Sequence, residues 1–199
     1  DRLFVSIRHN QDKESRDSIR AINPSTGDVL WESKKYDGYP GYHPQHNSPT
    51  VTMGDDRLFF LGKDRMICLS LENGKELWTS EFANPSPAEN TEDSIVRPKL
   101  SKSRGRSGLI YHDGIVFLLN QFSNPCLSGL DGQTGKALWQ THRQPVSCGT
   151  ATAMFVAQDL LWVLDGRTKL CGLDLKTGVN QKEYNIAKAI VGGHIRCYP

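Results

Sequence analysis

At 199 residues the chain is long enough for one sizeable core, or for an array of small units that share one. A hydrophobic content of 37%, a charged content of 23% and a net charge of +2 lack the overall basicity that makes nucleic acid the default partner. The longest apolar runs, Ile115 to Leu119 and Leu160 to Leu164, are of strand length and far below the roughly 20 residues that a membrane-crossing helix needs.

Asp1-Arg2-Leu3-Phe4-Val5 reads as a strand rather than a leader, and the polar stretch His9 to Asp17 as a solvent-facing extension of the first hairpin. The chain then reaches Ala21-Ile-Asn-Pro-Ser-Thr-Gly-Asp-Val-Leu-Trp31, which is the first copy of a repeat. It returns as Cys68-Leu-Ser-Leu-Glu-Asn-Gly-Lys-Glu-Leu-Trp78 and as Gly129-Leu-Asp-Gly-Gln-Thr-Gly-Lys-Ala-Leu-Trp139. A weaker copy is Gly172-Leu-Asp-Leu-Lys-Thr-Gly-Val-Asn-Gln-Lys182. The anchoring glycines Gly27, Gly74, Gly135 and Gly178 lie 47, 61 and 43 residues apart, the period of a four-stranded blade with one insertion in the third unit.

Each unit repeats one plan. A short strand (Ser48 to Val51, Ser107 to Ile110, Thr150 to Ala153) leads to an Asp- or Gly-containing turn, and an apolar strand follows: Leu58 to Leu61, Ile115 to Leu119 or Leu160 to Leu164. Leu3 to Val5 is its counterpart in the first unit. These runs are continuous rather than alternating, so both faces are expected to be buried, as in blades stacked around an axis. A third strand enters the Thr/Asn-Gly turn, where glycine supplies the positive φ of a tight hairpin, and the Trp four residues later opens the outer strand. A large ring at that edge can cover the turn of the next sheet and join blades by packing. Gly27, Trp31, Gly74, Trp78, Gly135, Trp139 and Gly178 are therefore read as blade-docking residues.

The expected fold is all-β: a β-propeller of four-stranded antiparallel blades, four of them in this chain. The repeats are placed at residues 1–35, 46–83, 105–143 and 148–186, with 192–199 as the inner strand of the next or closing blade. The 21 residues after Gly178 and the 27 up to Gly27 together approximate one period. Half of an eight-bladed propeller is the favoured arrangement, and a closed four-bladed ring the alternative.

These copies resemble the tryptophan-docking motif of the pyrroloquinoline-quinone-like (PQQ-like) propellers, Ala-x-Asp-x-x-Thr-Gly-x-x-x-Trp, over essentially the whole chain. Asn23 and Ser70 stand at the Asp position in the first two units, and Lys182 at the Trp position in the fourth. The family contains quinoprotein alcohol dehydrogenases and cofactor-free, BamB-like members, both extracytoplasmic. The enzymes carry a vicinal disulfide against the quinone and a calcium site of Glu, Asn and Asp. This chain has no adjacent cysteines among its five (Cys68, Cys126, Cys148, Cys171 and Cys197), and no acidic cluster assignable to calcium. The resemblance thus implies a binding or scaffold propeller of the bacterial periplasm or cell envelope, with no cofactor. The rival readings are a fragment of a PQQ- and calcium-dependent oxidoreductase and a propeller appended to another enzyme.

Loops carry function on propellers, so contact residues are sought there. The segment Tyr36 to Asn47 gathers aromatics and two histidines between blades, and Tyr42, His43, His46 and Asn47 are the candidate contact surface. Pro44 forbids the helix that would put His43 and His46 on one face, so no metal is expected there. His194, Arg196 and Cys197, in the strand that would line the channel, complete the set; alternation in a strand points His194 and Cys197 to opposite faces. The insertion Asn84 to Arg106, Pro-rich, then acidic, then basic, is read as a solvated loop. No Gly-x-Ser-x-Gly, Walker loop or metalloprotease helix occurs, and no catalytic residue is assigned. The expected partners are a protein or the remainder of a longer propeller, with a small ligand in the channel as a further option.

Overall fold

The computed structural model describes residues 1–11, 14–37, 51–62, 65–81, 108–119, 127–141, 154–165 and 169–186. These residues form sixteen β-strands and no helix. The strands group into four antiparallel four-stranded sheets, the blades of a β-propeller. Blade 1 contains β1 (Leu3–Gln11), β2 (Glu14–Ile22), β3 (Val29–Glu32) and β4 (Tyr36–Asp37), with β3 and β4 both paired to β2. Blade 2 runs β5 (Val51–Gly54), β6 (Arg57–Leu61), β7 (Arg65–Ser70) and β8 (Glu76–Glu81) in order. Blade 3 is β9 (Gly108–His112), β10 (Ile115–Leu119), β11 (Leu127–Asp131) and β12 (Ala137–Thr141). Blade 4 is β13 (Met154–Ala157), β14 (Leu160–Asp165), β15 (Lys169–Asp174) and β16 (Asn180–Asn185).

Two compact units are present. The first comprises Asp1–Phe82, Leu109–Phe117 and Gly129–Leu138, and the second Ala83–Gly108, Leu118–Ser128 and Trp139–Pro199. Within the first, Leu58 and Phe60 of β6 join a buried cluster with Ile19 and Tyr36 of blade 1, and Trp31 packs against it. Phe59, between them in sequence, points to the other side and stacks on Tyr111 of blade 3, with ring centroids 5.4 Å apart and planes 9° from parallel. Both faces of one strand are thereby covered, which is why its sequence does not alternate.

The first strand of each complete blade runs right up to its turn, past the ends Val51, Ile110 and Ala153 read from sequence. Two-residue turns set this register. Asp55 and Asp56 have φ of 48° and 59°, and Gln158 and Asp159 have 52° and 57°, the doubled positive φ of the turn whose twist matches a hairpin. Asp113 (45°) and Gly114 (76°) make the same turn in blade 3.

The outer hairpins are built alike. Gly27, Gly74, Gly135 and Gly178 all have φ between 68° and 78°. Their N–H groups donate to Asn23, Ser70, Asp131 and Asp174, each four residues earlier, at 2.8 to 2.9 Å. Asp131 Oδ1 accepts from the N–H groups of Gln133 and Thr134 and from the Thr134 hydroxyl, and Asp174 accepts the same three bonds from Lys176 and Thr177. Asn23 and Ser70, which depart from the motif, each accept one N–H.

The Thr134 and Thr177 hydroxyls, helped by the backbone donors, hold the Asp131 and Asp174 carboxyls below their ordinary value of 3.8. A depressed folded-state value means the stabilisation is complete above 3.8 and is lost as the pH falls through and below it. The melting temperature is accordingly expected to fall more steeply with acidification below about pH 4 in the wild type than in a D131N/D174N double variant. Parallel acid profiles for the two proteins would contradict this role.

A further common device is a bulge in the outer strand. Trp31 faces Ala21 and Val29 faces Ile22, so Leu30 is passed over; Trp78 faces Cys68 and Glu76 faces Leu69, so Leu77 is passed over. Leu30, Leu77 and Leu138 are left 47%, 46% and 47% exposed. Blade 4 keeps this register with Lys182 opposite Gly172.

Candidate functional site

Within each sheet the hairpins alternate between two edges. The short positive-φ turns share one edge with the glycine turns. At the opposite edge β4, β8, β12 and β16 end and β5, β9 and β13 begin, so every blade-to-blade connection leaves and enters there. Tyr42, His43, His46 and Asn47, between β4 and β5, lie outside the described residues. So do His194, Arg196, Cys197 and the insertion Asn84 to Arg106.

What the structure does define at the connection edge is an extension of blade 1. Its strand β1 has nine residues where β6 and β10 have five, and β2 also has nine. The surplus residues project past the body of the blade as a hairpin, and β4 lies alongside, pairing Asp37 with Arg16 and Tyr36 with Asp17. Ser33, buried between β3 and β4, mends the break in the outer strand. Its hydroxyl accepts the Ile19 N–H at 3.0 Å and donates to the Lys34 carbonyl at 2.9 Å.

Polar side chains on both faces brace this hairpin. On one face Arg8 grips Asp17 with two bonds, Nε to Oδ1 at 2.9 Å and Nη2 to Oδ2 at 3.1 Å. On the other, Ser18 Oγ sits 2.9 Å from His9 Nε2 and donates to Glu32 Oε1 at 2.8 Å. Arg20 completes the chain through Nε and Nη2 to Glu32 Oε2. The Arg20 and Ser18 hydrogen bonds hold the Glu32 carboxyl below the usual carboxylate range. The reading of His9 to Asp17 as solvent-facing is corrected at Asp17. Asp17 is 2% exposed and its neighbour Ser18 fully buried, because a bidentate guanidinium and a shared hydroxyl satisfy groups that would otherwise be too costly to bury.

Six of the seven residues read as blade-docking fall into three pairs across neighbouring blades. The Trp31 ring stands over Gly74, where a Cβ would meet it at 2.4 Å; Trp78 stands over Gly135 and Trp139 over Gly178, each at 2.5 Å. Each indole N–H donates to a carbonyl in the same turn: Trp31 to Leu71 at 3.2 Å, Trp78 to Gly132 at 3.2 Å and Trp139 to Leu175 at 2.8 Å. Gly27 has no atom within 4 Å of its Cβ position among the described residues. In blade 4, where Lys182 replaces the Trp, Trp162 of β14 stacks on Tyr184 instead, with centroids 5.8 Å apart.

Sequence reading missed Tyr111, which the structure makes a second tie between blades 2 and 3. Its hydroxyl donates to the Asp55 carboxylate and its N–H to Thr52 Oγ1 at 3.2 Å. Burial first, then the Asp55 hydrogen bond, push its hydroxyl up to about 12.

Cys68 and Cys171 are buried and in different blades, β7 and β15, and burial pushes the Cys68 thiol up to about 12. No three His, Cys, Asp or Glu side chains gather among the described residues. Among the same residues no helix is long and apolar enough to cross a membrane.

A profile of the family described as outer membrane protein assembly factor BamB matches residues 15–196. No curated protein matches the sequence significantly. Solved structures with the same fold include BamB from Moraxella catarrhalis, at 15% identity and a TM-score of 0.50, covering 92% of this chain and 52% of that one. A quinohemoprotein alcohol dehydrogenase from Comamonas testosteroni is similar at 15% identity and a TM-score of 0.57, covering 89% of this chain and 34% of that one. The computationally designed Ika8 protein gives 11% identity and a TM-score of 0.57, covering 89% of this chain and 48% of that one. The chain therefore spans about half, or less, of the length of these three structures.

Proposed function

The chain belongs to the family of outer membrane protein assembly factor BamB, and from that membership we propose that it is a non-catalytic scaffold that binds protein through the connection-bearing edge of its blades. The observation that carries this reading is the braced hairpin of blade 1, which puts Arg8, His9, Arg16 and Asp37 on a stiff three-stranded platform beside the point where the segment containing Tyr42, His43, His46 and Asn47 departs. Rigid presentation lowers the ordering cost of binding, and loops mounted on such a platform are where propellers place recognition. On this reading Tyr42, His43, His46 and Asn47 touch the partner, His194, Arg196 and Cys197 lie towards the channel, and the protein works outside the cytoplasm without a cofactor. Fold likeness also reaches an alcohol dehydrogenase, so the competing reading is a PQQ-dependent oxidoreductase; the buried, separated Cys68 and Cys171 weigh against it.

Two measurements on the full-length protein discriminate. A photo-crosslinking residue at Asp37 is expected to capture a protein partner in the cell envelope, whereas one at Ser25, on the turn edge, captures none. Added PQQ and calcium are expected to leave no retained quinone absorbance and no alcohol-dependent dye reduction. Dye reduction, or equal crosslinking from both edges, would sink the scaffold reading.

A further inference from the structure

The glycine turn of blade 2 differs chemically from the other three. Before its glycine stands Asn73, where blades 1, 3 and 4 have Thr26, Thr134 and Thr177. All four side chains do the same local work, each oxygen accepting the N–H two residues on. Thr26 takes that of Asp28 at 3.2 Å, Asn73 that of Lys75 at 3.0 Å, Thr134 that of Lys136 at 3.3 Å and Thr177 that of Val179 at 3.4 Å. Of the four, Asn73 alone carries an electrophilic carboxamide carbon, one bond short of a five-membered ring with the backbone nitrogen of the glycine that follows. Asn73 is exposed and Gly74 buried. Two side chains from blade 1 hold this turn. The Trp31 ring lies on Gly74 and its N–H reaches the Leu71 carbonyl at 3.2 Å. Arg2 Nη1 donates to the Leu71 carbonyl at 2.6 Å and to the Glu72 carbonyl at 3.0 Å.

We propose that Asn73 and Gly74 form a latent site of spontaneous deamidation, closed while Trp31 and Arg2 hold the turn, and that the reaction, once it occurs, unseats the tryptophan. In the first step the Gly74 nitrogen gives its proton to hydroxide and bonds Asn73 Cγ. The Cγ–Nδ2 bond breaks, and Nδ2 takes a proton from water and leaves as ammonia. Water then opens the succinimide at either carbonyl, which yields aspartate or isoaspartate; nothing is oxidised or reduced. The native arrangement opposes the first bond. The Gly74 proton is on the Ser70 carbonyl at 2.9 Å, the carboxamide oxygen is tied to the Lys75 N–H, and the indole lies against the glycine that would have to turn. Cyclisation therefore proceeds from the opened turn, at a rate that follows the population of that state. Isoaspartate adds a methylene to the backbone of a turn that closes between Ser70 and Gly74 and fits beneath Trp31. A transient opening of the joint between blades 1 and 2 is thereby made permanent. Aspartate keeps an oxygen for the Lys75 N–H and leaves the joint seated. This inference is independent of what the connection edge binds, and its readout is separate.

Ageing of the full-length protein at mildly alkaline pH, with peptide mapping for the amide-to-acid mass change at Asn73, tests it. The folded protein is expected to react at least about tenfold more slowly than the same protein unfolded in urea. Arg2 is exposed, so Arg2→Ala leaves the fold intact, and it should raise the folded-state rate about threefold, the worth of one exposed hydrogen bond. Equal rates in the folded and unfolded protein, no effect of Arg2→Ala, or no reaction at Asn73 even in urea would overturn the proposal. The consequence is read separately. The isoaspartate form, purified from the aged sample, is expected to melt several degrees below the unmodified protein, while Asn73→Thr aged alongside keeps its melting temperature. An isoaspartate form that melts with the unmodified protein would show that the modified turn still seats Trp31.

Discussion

Replacing Trp139 by Ala is expected to destabilise the protein by about 3–5 kcal/mol, one of the two largest single-residue losses predicted for it. The ring is 8% exposed, lies flat on the Gly178 turn and gives its N–H to the Leu175 carbonyl at 2.8 Å. Truncation removes the apolar area, opens a cavity between β12 and the blade 4 turn, and leaves a carbonyl without its donor. Leu138, the neighbouring residue in sequence, is 47% exposed because the strand turns it outward, and its replacement by Ala should stay within about 0.5 kcal/mol. Trp139→Phe separates the two parts of the effect: it keeps most of the ring and loses the hydrogen bond, for about 1 kcal/mol. Denaturant unfolding with the slope unchanged measures all three. Equal losses at Trp139 and Leu138 would show that the ring is not what joins the blades.

That contrast marks how far the fold could be read from the sequence. Neighbouring apolar residues such as Leu138 and Trp139 look interchangeable to any scale of hydrophobicity, yet a four-residue spacing from Gly135 singles out the Trp, and the blades follow from that spacing. The turns were legible for the same reason: glycine before the outer strand and Asp-Gly or Asp-Asp before the apolar one answer to a backbone angle, which is a local demand. The braced hairpin was not legible. Arg8, His9, Asp17 and Ser18 look like loop chemistry, and only the pairing of Arg8 with Asp17 and of Ile7 with Ser18 across the strands shows that their charges and hydroxyls satisfy one another. Lys182 was legible as a departure from the motif, but its replacement by a Trp162–Tyr184 stack within blade 4 depends on a strand alternation that leaves no motif behind. The candidate contact residues Tyr42, His43, His46, Asn47, His194, Arg196 and Cys197 fall outside the described residues. They remain readings of composition and of the strands on either side.

Tyr111 shows the same limit at a single contact, and it carries the second large effect. A Cβ added to Gly54 would lie 2.1 Å from the Tyr111 ring, closer than any packing permits. The ring cannot swing aside cheaply. Phe59 stacks beneath it at 5.4 Å, and its hydroxyl is tied to the carboxylate of Asp55, the residue after the glycine. Gly54→Ala is therefore expected to cost about 3 kcal/mol through overpacking and the displaced stack. Tyr111→Ala should cost a similar amount through the cavity it leaves between blades 2 and 3. If one steric conflict underlies both, the two losses must not add: with the ring already gone, the methyl on residue 54 meets no ring carbon, and the second substitution should cost less than about 1 kcal/mol. A double-mutant cycle by denaturant unfolding measures this coupling. A full additional loss from Gly54→Ala in the Tyr111→Ala background would mean that the glycine answers to a backbone demand of β5, and that Tyr111 is merely near it.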